Sequence, residues 1–221
     1  MIRGAIFDLD GTLLDSMSLW DTLGADYLRS LGKEPVEDLA ETFRAFTLEE
    51  SAQYYRDHYG VTLSVEEILA GIDGMIQRYY LDTVPLKPGA EDFLGNLPQT
   101  GVKLAVATVT PKHLAEGALK RLGVLDLFEG VFACGHGDPG KEDPWIYRQA
   151  LECLGTRKEE TVVLEDVLHA LSTAKEDGFL TAGVYDAHEE RQQELRGLAD
   201  CFIQTYSEAQ DFWALADLKQ K

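Results

Sequence analysis

Asp8-Leu9-Asp10-Gly11-Thr12-Leu13-Leu14-Asp15 directly follows a short apolar run, Ile2 to Phe7, and that placement decides how the rest of the chain is read. A run this short, without polar alternation, suits a strand covered on both faces, as in a parallel sheet. Four more such runs follow, at Lys103 to Thr108, Gly130 to Ala133, Thr161 to Leu164 and Thr181 to Val184. Helical patterns separate them at Pro111 to Leu122, Pro144 to Leu154 and Val167 to Asp177, the first two with proline near the helix start. This alternation predicts βαβ units and a doubly wound, Rossmann-like parallel sheet in the α/β class. Cys201 to Ile203 is expected to add an edge strand.

Between Ser16 and Val84 the period changes, because no strand-like run occurs and apolar residues recur at helical spacing. Leu19, Leu23, Tyr27 and Leu28 form one stripe, and Val36, Leu39, Ala40 and Phe43 a second. Ala52, Tyr55 and Tyr59 form a third, and Ile68, Ile72, Met75, Ile76 and Tyr79 a fourth. The expected division is therefore an α/β core, residues 1–15 and 85–221, interrupted by an all-helical domain at 16–84. The insert carries thirteen acidic and five basic residues.

The 221 residues have a net charge of −19, with 39 acidic against 20 basic residues. A nucleic-acid surface or a site for anionic lipid needs a basic patch, so neither partner is expected. No run approaches the ~20 apolar residues of a membrane helix, and no signal-peptide core precedes Asp8, which gives a cytoplasmic expectation. Cys134, Cys153 and Cys201 are too few and too scattered for a disulfide framework. A monomer is the plain expectation.

In open α/β sheets ligands bind beyond the carboxyl ends of the strands, which is where Asp8 and Asp10 fall. Two carboxylates so spaced, with a glycine letting the chain turn away, can serve as nucleophile and proton carrier; an acidic turn is the bland alternative. A calcium loop fails, since Leu13 and Leu19 occupy the glycine and bidentate-Glu positions. Glu165-Asp166 ends another strand run, and carboxylates converging from two strand ends repel unless a divalent cation joins them. An all-oxygen site with water suits Mg²⁺, whereas alone the pair would read as a helix cap. Thr108, at the end of its strand and before a helix, offers a phosphate seat or a simple cap, and Lys141 can neutralise a phosphate oxygen. Gly135 to Lys141 has the Gly-x4-Gly-Lys spacing of a P-loop, but Glu142 stands where a hydroxyl should bind metal and Pro139 removes an N–H donor. His136 in that loop is a candidate lining residue, and Trp20, Arg44, Leu48 and Arg78 are candidates in the insert.

The stretch Asp8 to Ser16 resembles the first motif of the haloacid dehalogenase (HAD) superfamily, and the other elements follow in family order. Thr108 stands as second motif, Lys141 with Pro144 and Tyr147 as third, and Glu165-Asp166 as fourth. The insert resembles the helical cap of β-phosphoglucomutase-like and phosphoglycolate phosphatase-like members. The resemblance implies Asp8 as the nucleophile forming an aspartyl-phosphate, and Asp10 as the acid and base. It implies Mg²⁺ held by Asp8, the Asp10 carbonyl, Asp166 and, directly or through water, Glu165. It also implies a phosphate seat formed by Asp8, Leu9, Asp10, Thr108, Val109 and Lys141. A phosphatase acting on a small phosphorylated metabolite, with a sugar phosphate as the favoured class, is what the resemblance implies; Asp10 argues against dehalogenation, which has no leaving oxygen to protonate. The alternatives are a sugar-phosphate mutase and a catalytically weak binding or regulatory protein. Trp20 and Leu48 stand where the mutases carry His and Arg, which disfavours the former. Val109, Thr110, Glu142, Trp145, Val167 and Ala170 depart from the usual family pattern.

Overall fold

The computed structural model describes every residue except 37, 44, 45, 136 and 219–221. Arg44 and His136 therefore lie outside the described residues. The described chain divides into two compact units, Met1–Ser16 with Val84–Lys221, and Met17–Thr83.

In chain order the elements are β1 (Gly4–Phe7), α1 (Ser18–Ser30), α2 (Leu39–Phe43), α3 (Leu48–Tyr59), α4 (Val65–Arg78), α5 (Ala90–Asn96), β2 (Lys103–Thr108), α6 (Lys112–Arg121), β3 (Phe128–Ala133), α7 (Trp145–Leu154), β4 (Thr161–Glu165), α8 (Leu168–Glu176), β5 (Leu180–Val184), α9 (Gln192–Leu198), β6 (Cys201–Ile203) and α10 (Gln210–Leu218). The six strands form one parallel sheet in the order β3-β2-β1-β4-β5-β6, the doubly wound arrangement expected from the alternating runs. β1 sits centrally, pairing Phe7 with Val106 on one side and Leu164 on the other. Its carboxyl end, and hence Asp8, is flanked by the ends of β2 and β4.

Both faces of the sheet are covered, which is why the strands read as unbroken apolar runs. Ile6, Ala105, Ala107 and Val163 pack on Ile146, Tyr147, Ala150 and Leu154 of α7. On the opposite face Phe7 meets Phe93 of α5 edge-on at 6.4 Å between ring centroids, and Phe93 meets Phe212 of α10 at 4.9 Å. Truncating one such buried ring to alanine costs about 3–5 kcal/mol, so these contacts hold the strand that presents Asp8. α5, α9 and α10 were not legible as helices, because each is short and turns only a few apolar residues inward.

The second unit contains no strand among its described residues. Leu23, Tyr27 and Leu28 of α1, Leu39 of α2, Ala52 and Tyr55 of α3, and Ile68 and Ile72 of α4 make its core. Thr47 and Ser64 start α3 and α4 with reciprocal capping boxes to Glu50 and Glu67, which fixes both helix starts. The second expected stripe is corrected at its start. Val36 is 89% exposed and precedes α2, because the Asp38 carboxylate accepts the Ala40 N–H at 3.0 Å and begins the helix there. The stripe ending at Tyr79 also breaks, since α4 stops at Arg78 and Tyr79–Thr83 winds as a π-helix.

Candidate active site

After β1 the chain makes a tight turn, with the Leu13 and Leu14 N–H groups both donating to the Leu9 carbonyl at 2.8 Å. Gly11 takes φ +77° in this turn, and a Cβ there would lie 2.3 Å from Asp166 Oδ2. Glycine is needed twice over, for the left-handed backbone and to admit the carboxylate of the β4 end. The outgoing chain pairs with the returning one, Asp15 N–H to the Pro85 carbonyl at 3.0 Å and Lys87 N–H to the Leu13 carbonyl at 2.8 Å.

Asp8, Glu165 and Asp166 converge as the sheet topology demands, each offering an oxygen within 4.8 Å of the others, and all three are buried. Lys141 reaches them from the loop before α7: its ammonium donates to Asp8 Oδ1 and, at 2.6 Å, to Glu165 Oε1. The Tyr147 hydroxyl donates to the same Oε1 at 2.6 Å, and Thr12 donates to Asp166 Oδ1 at 2.8 Å. Thr108, fully buried, ends β2, the neighbour of β1, whereas the Val109 side chain is exposed. Leu9 is buried and closes the turn through its carbonyl. Asp10 stands apart from the three converging carboxylates: Thr110 donates to its Oδ2 and Ser16 to its Oδ1 at 2.7 Å.

One ammonium against three buried carboxylates leaves uncompensated negative charge. Burial raises the Asp8 carboxyl despite Lys141, raises Glu165 to about 7, and pushes Asp166 well above the usual range with the charges of Asp8 and Glu165 adding to it. Burial alone would lower Lys141, but Asp8 and Glu165 more than reverse this and keep it charged. Burial likewise raises Tyr147, holding its hydroxyl as a donor to Glu165. The donor set is all oxygen and starved of positive charge, which fits a hard divalent cation.

The P-loop alternative finds no support in the geometry. The Gly135 N–H is taken by Asp138 Oδ2 at 2.8 Å, and Lys141 turns to the carboxylates instead of a backbone nest. Sequence reading placed Asp8, Asp10, Lys141, Glu165, Asp166 and Thr108, and the fold brings them to one sheet edge. Not read from the sequence was that the hydroxyls of Thr12, Ser16, Thr110 and Tyr147 orient these carboxylates. Thr12 and Thr110 act across 154 and 100 residues of chain, which no local pattern reveals, whereas Ser16 lies six residues from Asp10. Trp20 and Leu48, on α1 and α3 of the helical unit, are about half exposed.

Residues 2–176 match the family model described as haloacid dehalogenase-like hydrolase. The chain belongs to this family. It is 30% identical over 191 residues to validoxylamine A 7'-phosphate phosphatase of Streptomyces hygroscopicus subsp. limoneus, covering 86% of this chain and 88% of the relative. It is 28% identical to the phosphorylated carbohydrates phosphatase of Thermotoga maritima, over 80% of this chain and 82% of that one. Among solved structures, a Thermotoga maritima protein provisionally described as a beta-phosphoglucomutase superposes with a TM-score of 0.83 at 25% identity, covering 98% of this chain and all of that one. CbbY from Rhodobacter sphaeroides, solved with phosphate, gives 0.70 at 25% identity, over 94% and 96% of the two chains. This chain is accordingly a HAD-type enzyme of the phosphatase kind, and its acidic group could hold a metal. No helix among the described residues is long and apolar enough to cross a membrane.

Proposed function

We propose that the protein is a Mg²⁺-dependent phosphatase of small phosphorylated metabolites, with sugar phosphates as the favoured class, working through an aspartyl-phosphate on Asp8. The observation that carries this reading is the convergence of Asp8, Glu165 and Asp166 with Lys141 at the carboxyl edge of the sheet. Asp8 and Asp166 would hold the ion by carboxylate and Asp10 by its carbonyl. Glu165, whose Oε1 already accepts from Lys141 and Tyr147, would act best through water. The ion, when bound, offsets charge on the carboxylates and the phosphoryl oxygens.

In the first step an Asp8 oxygen attacks phosphorus, the ester P–O bond breaks, and Asp10 gives its proton to the leaving oxygen. In the second, Asp10 takes a proton from water as the water oxygen attacks the same phosphorus, releasing phosphate and the free Asp8 carboxylate. Thr108 and Lys141 hold the phosphoryl oxygens, with Leu9 and Val109 beside them. The helical domain at 16–84 is proposed as a cap that excludes water when closed. The metabolite-phosphatase names of the relatives support the substrate class.

Asp8→Asn is expected to abolish Mg²⁺-dependent hydrolysis of a generic phosphomonoester. Full activity in that variant would overturn the mechanism. The mutase alternative is favoured by the likeness to the Thermotoga protein. It predicts isomerisation of glucose 1-phosphate with a bisphosphate primer, and phosphate release without isomer would dismiss it.

A further inference from the structure

We infer that Thr110 aims Asp10 for proton transfer, acting as a positioning residue; the inference rests on the phosphatase reading above. β2 ends at Thr108, whose hydroxyl accepts the Thr110 N–H at 3.0 Å. This short side-chain turn sets the direction of the segment leaving the strand. Both threonines are buried while Val109 between them is 57% exposed, so the hydroxyls turn inward and the valine outward. From that position Thr110 donates to Asp10 Oδ2, across a hundred residues of chain.

The two hydroxyls on Asp10 do different work. Ser16 belongs to the same turn as Asp10, so its bond to Oδ1 ties that turn to itself. Thr110 lies two residues past the end of β2, the strand in register beside β1, and its N–H is held by Thr108, so its bond fixes the Asp10 carboxylate against the strand that carries Thr108. One residue of the Thr108-Val109-Thr110 segment thus meets the phosphoryl group while another orients the proton carrier. A carboxyl oxygen accepting a hydroxyl keeps a further lone pair, so Asp10 can carry its proton without releasing Thr110. In the step concerned the Asp10 O–H bond breaks as the ester P–O bond breaks. The proton goes to the leaving oxygen, and Asp10 remains a carboxylate accepting from Thr110. Orientation matters here because a general acid works only within hydrogen-bond reach of the atom it protonates.

The consequence is a dependence on the leaving group. p-Nitrophenolate departs without a proton, phenolate gains from one, and an alkoxide such as benzyl alkoxide requires it. The test compares kcat/KM, which reports the first step, for p-nitrophenyl, phenyl and benzyl phosphate with Mg²⁺. Thr110→Val, which keeps the shape and removes the donor, should lose less than about twofold on p-nitrophenyl phosphate and about tenfold or more on benzyl phosphate. Thr110→Ser should follow the wild type on all three, and Asp10→Asn should show the same trend more steeply. Turnover of p-nitrophenyl phosphate by Thr110→Val doubles as the check that the variant is folded. An equal loss on all three substrates, or no loss on benzyl phosphate, overturns the role of Thr110 and leaves the phosphatase reading intact. A wild-type protein that hydrolyses none of the three overturns both.

Discussion

Replacing Glu165 by glutamine should stabilise the metal-free protein at pH 8 and leave it nearly unchanged at pH 4.5. Burial raises the Glu165 carboxyl to about 7 from an ordinary 4.5, with Asp8 reinforcing and Lys141 opposing. The folded protein therefore holds this proton more tightly than the unfolded chain does. That contribution is complete below the unfolded value and is lost as pH rises through the folded one. The difference between about 7 and 4.5 corresponds to roughly 3 kcal/mol by pH 8. Glu165→Gln mimics the protonated group and keeps an acceptor for Lys141 and Tyr147, so it avoids the penalty. For a chain of this length 1 kcal/mol is worth roughly 2–4 °C. In EDTA the Tm of Glu165→Gln minus that of wild type should therefore grow by roughly 6–12 °C between pH 4.5 and 8. Taking the difference removes the repulsion among other acids that the −19 charge imposes on both proteins. Millimolar Mg²⁺ should shrink the gap at pH 8, because the ion offsets the same carboxylates. A gap that is constant with pH, or that closes as pH rises, would refute the account of the buried charge.

Gly11→Ala should lower stability by about 1–3 kcal/mol in urea unfolding and depress activity, since its Cβ would meet Asp166 Oδ2 in a left-handed turn; an unperturbed variant would contradict the packing. Thr12→Val removes the hydroxyl that orients Asp166 and should raise the Mg²⁺ concentration that half-saturates activity by about tenfold; an unchanged value would show the bond to be dispensable. Lys87 donates to Asp186 at 2.8 Å with both side chains largely buried, so Lys87→Met should cost about 3–5 kcal/mol in denaturant unfolding, and a change under 1 kcal/mol would show the pair to be dispensable. The net charge of −19 repels an anionic substrate, so raising salt from about 10 to about 150 mM should raise kcat/KM or leave it unchanged; a steep fall would point to long-range attraction instead.

The sheet was readable because its strands are covered on both faces. Burial forces unbroken apolar runs such as Leu104 to Ala107, and short runs spaced by helical patterns admit few topologies. The strands Lys103–Thr108 and Cys201–Ile203 coincide with their expected bounds. Helices with short apolar faces escaped, as α5 did, and Val36 was misread because three-residue spacing does not distinguish a helical residue from one that precedes the cap.

Asp8, Asp10, Glu165 and Asp166 were legible as candidates because each stands at or just past the end of a strand, and Lys141 because it lies in the loop leading to α7, where position in the chain already implies position in space. What the sequence by itself determined is therefore the class of sheet and the edge at which acid collects. Only the tertiary structure decided which distant donor serves which oxygen: Thr12 for Asp166, Tyr147 for Glu165, and Thr110 for Asp10. The physical reason lies in range. Strand and helix patterns are set by neighbours a few residues away, whereas a hydrogen bond about 3 Å long between residues as distant as Thr12 and Asp166 depends on the packing of the whole sheet.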